Sequence, residues 1–220
     1  MPTAERRTTG RPPRISRAEI VGTARRIVAE QGVGKLTMRG LAREIGSTPM
    51  ALYHHVRDKE ELLLLLLDDI AASAPRPDPL PADPRERLVT VATAMHDLLA
   101  GCPWIVEVLT ADDLMAEAAL WYSEHIVDAA VAAGLGLEEA VDAYRTVWYY
   151  TAGQIITTAT SARRRAQDER PTYRDRVFAG IDPAAYPRLA SVGARWTELT
   201  ARDTYAEGLR ALVRGLLPEG

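Results

Sequence analysis

LTMRGLAREIGSTPMALYHHVRDK, running from Leu36 to Lys59, decides how the chain folds. Its periodicity predicts two short helices with a tight turn between them. Thr37 has the side-chain oxygen needed to cap the first helix, Leu41 and Ile45 stand four apart on its inner face, and Ala42 lies beside them. Gly46 follows where a left-handed C-terminal stop is expected, and Ser47 or Thr48 is placed to cap a second helix with Pro49 in its first turn. That second helix, from Pro49 to His55, turns only Leu52 and Val56 inward. Met50, Ala51, Tyr53, His54 and His55 are left for its other face, much aromatic and hydrogen-bonding surface for so short a helix. Two helices joined by a glycine-bearing turn, the second exposing such groups, form the pattern that seats a helix in the major groove of DNA. The same pair also serves elsewhere as plain scaffold; the fit here, residue by residue, favours the groove-reading form.

Working outward, Ser16 and Glu19 have capping-box spacing, Ile20, Ala24, Ile27 and Val28 follow at helical intervals, and Gly32 ends that helix. Residues 1–15 are rich in Pro and Arg without periodicity and read as a basic flexible arm. Its Arg6, Arg7, Arg11 and Arg14 suit phosphate tracking, and the Gly10-Arg11-Pro12 step suits a narrow minor groove. A merely solubilising tail is the alternative. Downstream, Asp58 is placed to cap a helix from Lys59 to about Ser73, whose unbroken apolar run Leu62 to Leu67 implies burial all round. That run is the longest in the chain and is too short to span a membrane.

Charge divides along the same line. Residues 1–60 carry a balance of +6 and the remainder −9, for a net −3 over 220 residues. A basic head on an acidic body is the electrostatic footprint of a nucleic-acid binder. The single cysteine, Cys102, cannot form an internal disulfide and fits a reducing cytoplasm; no secretory leader is read at the N-terminus.

After a proline-rich linker at 75–84, five helical stretches follow and no alternating strand pattern occurs, so the fold class is all-α. The stretches are Pro84 to Ala100, Trp104 to Leu109, Asp112 to Ala133, Leu137 to about Ala162, and Arg202 to Leu217. On the third, Leu114, Ala118, Trp121 and His125 make one stripe. The fourth shows two seams: Val141, Tyr144, Trp148, Thr151 and Ile155, then Val147, Tyr150, Gln154 and Thr157. A helix apolar on two faces is buried from two sides, most simply by a second copy of the chain, and Gly208 and Gly215 on the last helix leave a flat strip for that copy. A long core helix in a monomer is the alternative. The charged stretch 163–181 reads as a loop, with a short helix within Asp182 to Arg195.

Chemistry in the body is sparse. His96-Asp97, Glu124 and His125 are the only acid–base candidates. There is no metal-ligand spacing, phosphate loop or nucleophile elbow, so neither catalytic residues, a metal nor a cofactor is expected. Met95, His96, Trp104, Trp121, Tyr122, His125, Trp148, Tyr149 and Tyr150, with Gln154, suit the lining of an apolar pocket carrying a few polar groups. They suit a filled core as well.

The reading segment resembles the DNA-binding signature of the TetR family of transcriptional regulators. Leu36, Thr37 and Arg39 match its helix start, Leu52, Tyr53 and His55 its recognition helix, and Lys59 and Leu62 the opening of the next helix. His54 stands where relatives often carry Tyr or Trp, and Met50 and Ala51 occupy variable base-facing positions. The resemblance implies a homodimeric regulator, acting most simply as a repressor that binds double-stranded operator DNA and is released by a small-molecule effector. It implies a helix-turn-helix domain at 16–60, a connecting helix at 61–74 and a ligand-binding and dimerisation domain at 84–220. Of the DNA-binding residues, Tyr53, His55 and Lys59 are expected on phosphates. Arg39, Pro49, Met50, Ala51 and His54 are expected nearer base edges, with Thr37 and Thr48 at the two helix starts. Comparison with tetracycline-binding members places Val91, Cys102 and Thr157 where those proteins use an amide, a histidine and an acid. A magnesium–tetracycline chelate finds no ligands there, which points to an apolar or aromatic effector. A helical ligand-binding or enzymatic domain, or a ligand-independent architectural DNA binder, are the competing readings.

Overall fold

The computed structural model describes residues 15–111, 114–168 and 170–218. The expected arm, Ile15 apart, lies outside the described residues. Among these there are α-helices and short 3-10 turns and no strand, the all-α class read from the sequence. They fall into two compact units. One ends at Ser73 and takes in Leu114–Ala118; the other holds the remainder.

The first unit is built from α1 (Arg17–Gln31), α2 (Met38–Ile45), α3 (Pro49–Tyr53) and α4 (Lys59–Ser73). Ser16 Oγ accepts from the Glu19 amide at 3.1 Å to start α1, and Gly32 closes it. Ile20, Leu36, Leu41, Leu52, Leu62 and Leu66 have essentially no exposure and form the core. At about 1.5–3 kcal/mol per fully buried side chain of this size, those contacts outweigh any single polar interaction in the unit. The burial of α4 is a stripe rather than all round: Leu62, Leu63, Leu66, Leu67, Ile70 and Ala71 are buried, whereas Leu64 and Leu65 are half-exposed. Six leucines in a row cannot all face one core on a 100° periodicity.

The second unit contains α5 (Pro84–Gly101), α6 (Pro103–Ala111), α7 (Leu120–Ala132), α8 (Leu137–Gln167), α9 (Tyr173–Ala179), α10 (Pro187–Val192), α11 (Trp196–Thr200) and α12 (Tyr205–Leu216). Asp83 caps α5 through the Glu86 amide at 2.9 Å, with Pro84 in its first turn. Helix α5 packs along α7, α8 packs on α6 and α7, and α12 lies against both α5 and α8.

Five expectations change here. The stretch expected to open a helix at Asp112 has no helix over Leu114–Ala116 and a 3-10 turn at Glu117–Ala119. The Ala118 amide is taken by the Asp68 carboxylate at 3.1 Å, so α7 starts only at Leu120. Its inward stripe is Tyr122, Ile126, Ala129 and Ala130, one position off the expected Trp121 and His125, which are half-exposed. The expected loop at 163–181 is largely helical. Helix α8 runs on to Gln167 through good helix formers, with Arg164 and Arg165 complementing its C-terminal dipole. Helix α9 follows a reciprocal Thr172–Asp175 capping box, and its Phe178 stacks on Trp196 at 4.0 Å.

The two seams expected on α8 separate differently. Ala143, Val147, Thr151 and Ile155 are buried within the unit, whereas Val141, Tyr149 and Ile156 stay exposed. Finally, Gly208 faces inward. A β-carbon there would overlap the Tyr150 hydroxyl and come within 2.9 Å of its Cζ, while nothing lies within 4 Å of one at Gly215. Gly208 thus makes room for a tyrosine of its own chain, not for a partner helix.

Candidate functional site

The first unit presents a short helix whose position is fixed by local bonds. Thr37 Oγ1 accepts from the Gly40 amide at 3.0 Å to start α2. Gly46 sits at φ 73° and ψ 33°, a left-handed conformation that would strain a residue with a β-carbon, and it turns the chain sharply. The Ser47 amide returns to the Ala42 carbonyl at 2.8 Å. Thr48 Oγ1 then accepts from the Ala51 amide at 3.3 Å, with Pro49 in the first turn of α3. Helix α3 ends at Tyr53, two residues before the expected end; His54 and His55 form a turn in which the His55 amide bonds the Leu52 carbonyl at 2.8 Å.

Leu52 and Val56 are buried and pin α3 from beneath. Above them Met50 is 69 % exposed, an unusual state for a methionine, and Tyr53, His54 and His55 are exposed beside it. Lys59 opens α4, where Asp58 Oδ1 accepts from the Glu61 amide at 2.8 Å. Charge is sorted by position. Arg17 and Arg57 are paired with Glu61, Arg25 with Asp69 and Arg26 with Glu44. The Arg57 backbone and side chain, and Arg17, hold the Glu61 carboxyl below its ordinary range. Among the described residues, Lys35, Arg39, Arg43 and Lys59 make no such pair.

The second unit contains a cavity of about 680 Å³. His96 and Gln154 form part of its wall, with Ile155, Thr157, Ser161, Arg165, Arg174 and Arg202 among the others. His96 is nearly buried; its Nδ1 lies 3.0 Å from Asp97 Oδ1 and its Nε2 3.1 Å from Gln154 Oε1. Its ring stacks on Tyr205 at 3.7 Å, and Tyr205 stacks in turn on Tyr150 at 5.3 Å. Tyr205 Oη lies 2.8 Å from Thr151 Oγ1 and donates to the Ala92 carbonyl at 3.3 Å. Burial pushes its hydroxyl up to about 12. The wall behind His96 is therefore a rigid, hydrogen-bonded stack.

Of the residues expected to line a pocket, the structure brings His96 and Gln154 to this cavity. Val91 and Met95 are buried core residues of α5, and Cys102, Trp104 and Trp148 are half-buried and do not line this cavity, although Pro103 between the first two does. Trp121 and His125 form a separate cluster, with rings 4.3 Å apart and Arg76 over the indole at 5.2 Å. Thr157, singled out by the comparison with tetracycline-binding members, lines the cavity too; Thr158, Ala159 and Ser161 beside it on α8 are the lining that sequence reasoning passed over. Its signal was present: small polar side chains replacing aromatic ones along a single helix. Arg165, Arg174 and Arg202 were missed because they stood in or beyond the supposed loop. No group of three His, Cys, Asp or Glu able to hold a metal occurs among the described residues, and no single helix among them is long and apolar enough to cross a membrane.

Comparisons with known proteins match both units. Residues 20–66 match the family model described as bacterial regulatory proteins, tetR family, and residues 76–219 match the tetracyclin repressor-like C-terminal domain. A relative from Streptomyces coeruleorubidus, the HTH-type transcriptional repressor DrrR1, is 29 % identical over 175 residues, 77 % of this chain and 62 % of its own. Among solved structures, the Streptomyces coelicolor TetR family protein ActR in complex with actinorhodin superposes with a TM-score of 0.74 at 20 % identity, covering 92 % of this chain and 96 % of that one. BioQ with its double-stranded DNA operator gives 0.62 at 25 % identity, covering 92 % and 98 %. The chain belongs to the tetR family of bacterial regulatory proteins.

Proposed function

We propose that this protein is a homodimeric transcriptional repressor that binds operator DNA through α3 and is released by a small organic effector held in the cavity of the second unit. The observation that carries the reading is the face of α3: an anchored five-residue helix with Met50 and Tyr53 exposed, beside the unpaired cations Arg39 and Lys59. Exposed apolar and aromatic surface flanked by unpaired positive charge suits base edges between phosphates. Tyr53, His55 and Lys59 hold phosphates; Arg39, Pro49, Met50, Ala51 and His54 face the bases; Thr37 and Thr48 orient the two helix starts. DrrR1, a named repressor, and BioQ, solved with its operator, support the direction of the reading.

The effector follows from the cavity, whose volume is that of a small-molecule site. Ile155, Ala100 and Pro103 give it apolar surface, and His96 with Gln154 gives directional bonds. ActR, which shares this fold, is solved in complex with actinorhodin, which supports a ligand-binding role for this chain. Release requires that the effector prefer the DNA-free conformation; a 10- to 100-fold loss of operator affinity needs about 1.4–2.8 kcal/mol of such preference. Dimerisation is supported by the exposed apolar stripe of α8, Val141, Tyr149 and Ile156, an expensive surface for a monomer to leave in water. Work on chromosomal DNA places the protein in the cytoplasm.

Gel shift on the DNA upstream of the protein's own gene tests the reading. Wild type is expected to retard that duplex, small aromatic compounds to release it, and Gln154→Ala to blunt release while sparing DNA affinity. A protein that retards no duplex at low salt overturns it.

A further inference from the structure

A side pocket of about 170 Å³ adjoins the main cavity and shares Ser161, Arg165 and Arg174 with it. Thr160, Arg164 and Thr172 complete its lining. All six side chains are hydrogen-bond donors, three of them guanidinium groups, and no carboxylate stands among them. The C-terminal dipole of α8 accounts for Arg164 and Arg165 but not for Arg174, which comes from α9, nor for three converging hydroxyls.

Asp203, in the lining of the main cavity, accepts from the Tyr205 amide at 3.0 Å, and the acids beside the side pocket are engaged as well. Asp168 is gripped by Arg170, whose Nε and Nη2 donate at 2.9 and 2.8 Å. Asp175 accepts from Thr197 Oγ1 at 2.5 Å and from the Thr172 amide at 2.8 Å, which hold its carboxyl down to about 2. Arg174 feels the field of Asp175 without a hydrogen bond to it among the described residues. Arg165 has no carboxylate partner among them. Three like charges in so small a space repel one another, and an anion placed among them relieves that repulsion. A planar guanidinium fork matches a carboxylate or sulfonate in two parallel bonds.

We propose that this side pocket is an anion-binding subsite and that the effector is an organic acid, its acidic group among Arg165, Arg174 and Ser161 and its apolar body in the main cavity toward His96 and Gln154. The proposal rests on the reading of that cavity as the effector site and names the effector's chemical class.

Two fluorescent probes separate charge from shape: 8-anilinonaphthalene-1-sulfonate, and N-phenyl-1-naphthylamine, the same aryl framework without the sulfonate. Arg165→Gln with Arg174→Gln is expected to weaken the sulfonate by about tenfold or more, the loss of charge-assisted bonds. The neutral probe is expected to keep its affinity within about twofold. Both arginines are exposed, so thermal melting should be unchanged. Arg165→Lys with Arg174→Lys, which keeps the charge, should retain most of the sulfonate affinity, and Arg188→Gln on α10 should alter neither probe. Unchanged sulfonate binding in the double glutamine variant, or an equal loss of both probes, overturns the proposal. Operator affinity measured alongside distinguishes the two readings: arginine-dependent sulfonate binding that leaves DNA affinity untouched supports the anion subsite and overturns the effector role of the cavity.

Discussion

The reading head and the cavity-bearing body hold their shapes by different means. In the head, the bonds that set the starts of α2, α3 and α4 join residues three apart: Thr37 to Gly40, Thr48 to Ala51 and Asp58 to Glu61. In the body, the wall of the cavity depends on bonds between residues far apart in sequence: His96 to Gln154, Thr151 to Tyr205, and Tyr205 to Ala92. A locally determined surface tolerates exchange of its outward side chains. A cavity wall fixed by distant partners fails or holds as a unit.

Substitutions that press on this contrast differ in size. Gly208→Val should be the most damaging, since its side chain must displace Tyr150 from the stack on Tyr205. Overpacking of this kind costs about 1–3 kcal/mol, and the melting temperature should fall accordingly. An unaltered melting curve would place Tyr150 elsewhere. Tyr205→Phe removes the bond to Thr151 and should cost about 1 kcal/mol at neutral pH.

The same variant has a pH signature. The folded-state pKa of Tyr205, about 12, lies above its ordinary 10.0, so burial favours the neutral hydroxyl. The stability held by the neutral form is complete below pH 10 and is lost as pH rises toward 12. Tyr122 and Tyr150 are shifted upward by burial too, so part of the alkaline loss should persist in Tyr205→Phe. Urea denaturation between pH 9 and 12 measures this; an identical slope in wild type and variant would deny Tyr205 its share.

In the head, Thr37→Ala removes one cap bond and should cost about 1 kcal/mol in thermal melting, with no change in ligand binding by the body. Smallest and opposite in sign, Gly215→Ala should stabilise by about 0.5 kcal/mol, because its β-carbon meets open space in a helix. A dimer broken by that alanine, seen by light scattering, would return Gly215 to an interface.

The contrast also explains what could be read from the sequence. Caps, the Gly46 stop and the buried pair Leu52 and Val56 follow from spacing alone, so the head was legible almost to the residue. Helices α5 to α8, α10 and α12 were legible too, whereas α9 fell inside the supposed loop and α11 between two expected stretches. Registers in the body were less so: both Trp121 and Tyr122 lie on plausible stripes, and only packing against α5 and α8 decides that Tyr122 goes inside. Gly208 could not be assigned because its neighbour, Tyr150, is 58 residues away. The cavity was legible at His96, Gln154 and Thr157 and not at Arg165 and Arg174, which meet through a capping box and a Phe178–Trp196 stack that periodicity does not reveal.

The central claim, that the exposed face of the head binds DNA, is tested most directly by Lys59→Glu. Lys59 is exposed at the first position of α4, where a negative charge favours the helix, so the variant should fold at least as well as wild type. Fluorescence anisotropy with a duplex from upstream of the gene should show affinity lowered by about tenfold or more and a shallower dependence on salt. Arg188→Glu in the body, an equal change of charge, should stay within about threefold of wild type at moderate salt. A Lys59→Glu protein that binds the duplex with wild-type affinity and salt slope would contradict the assignment of this face to DNA.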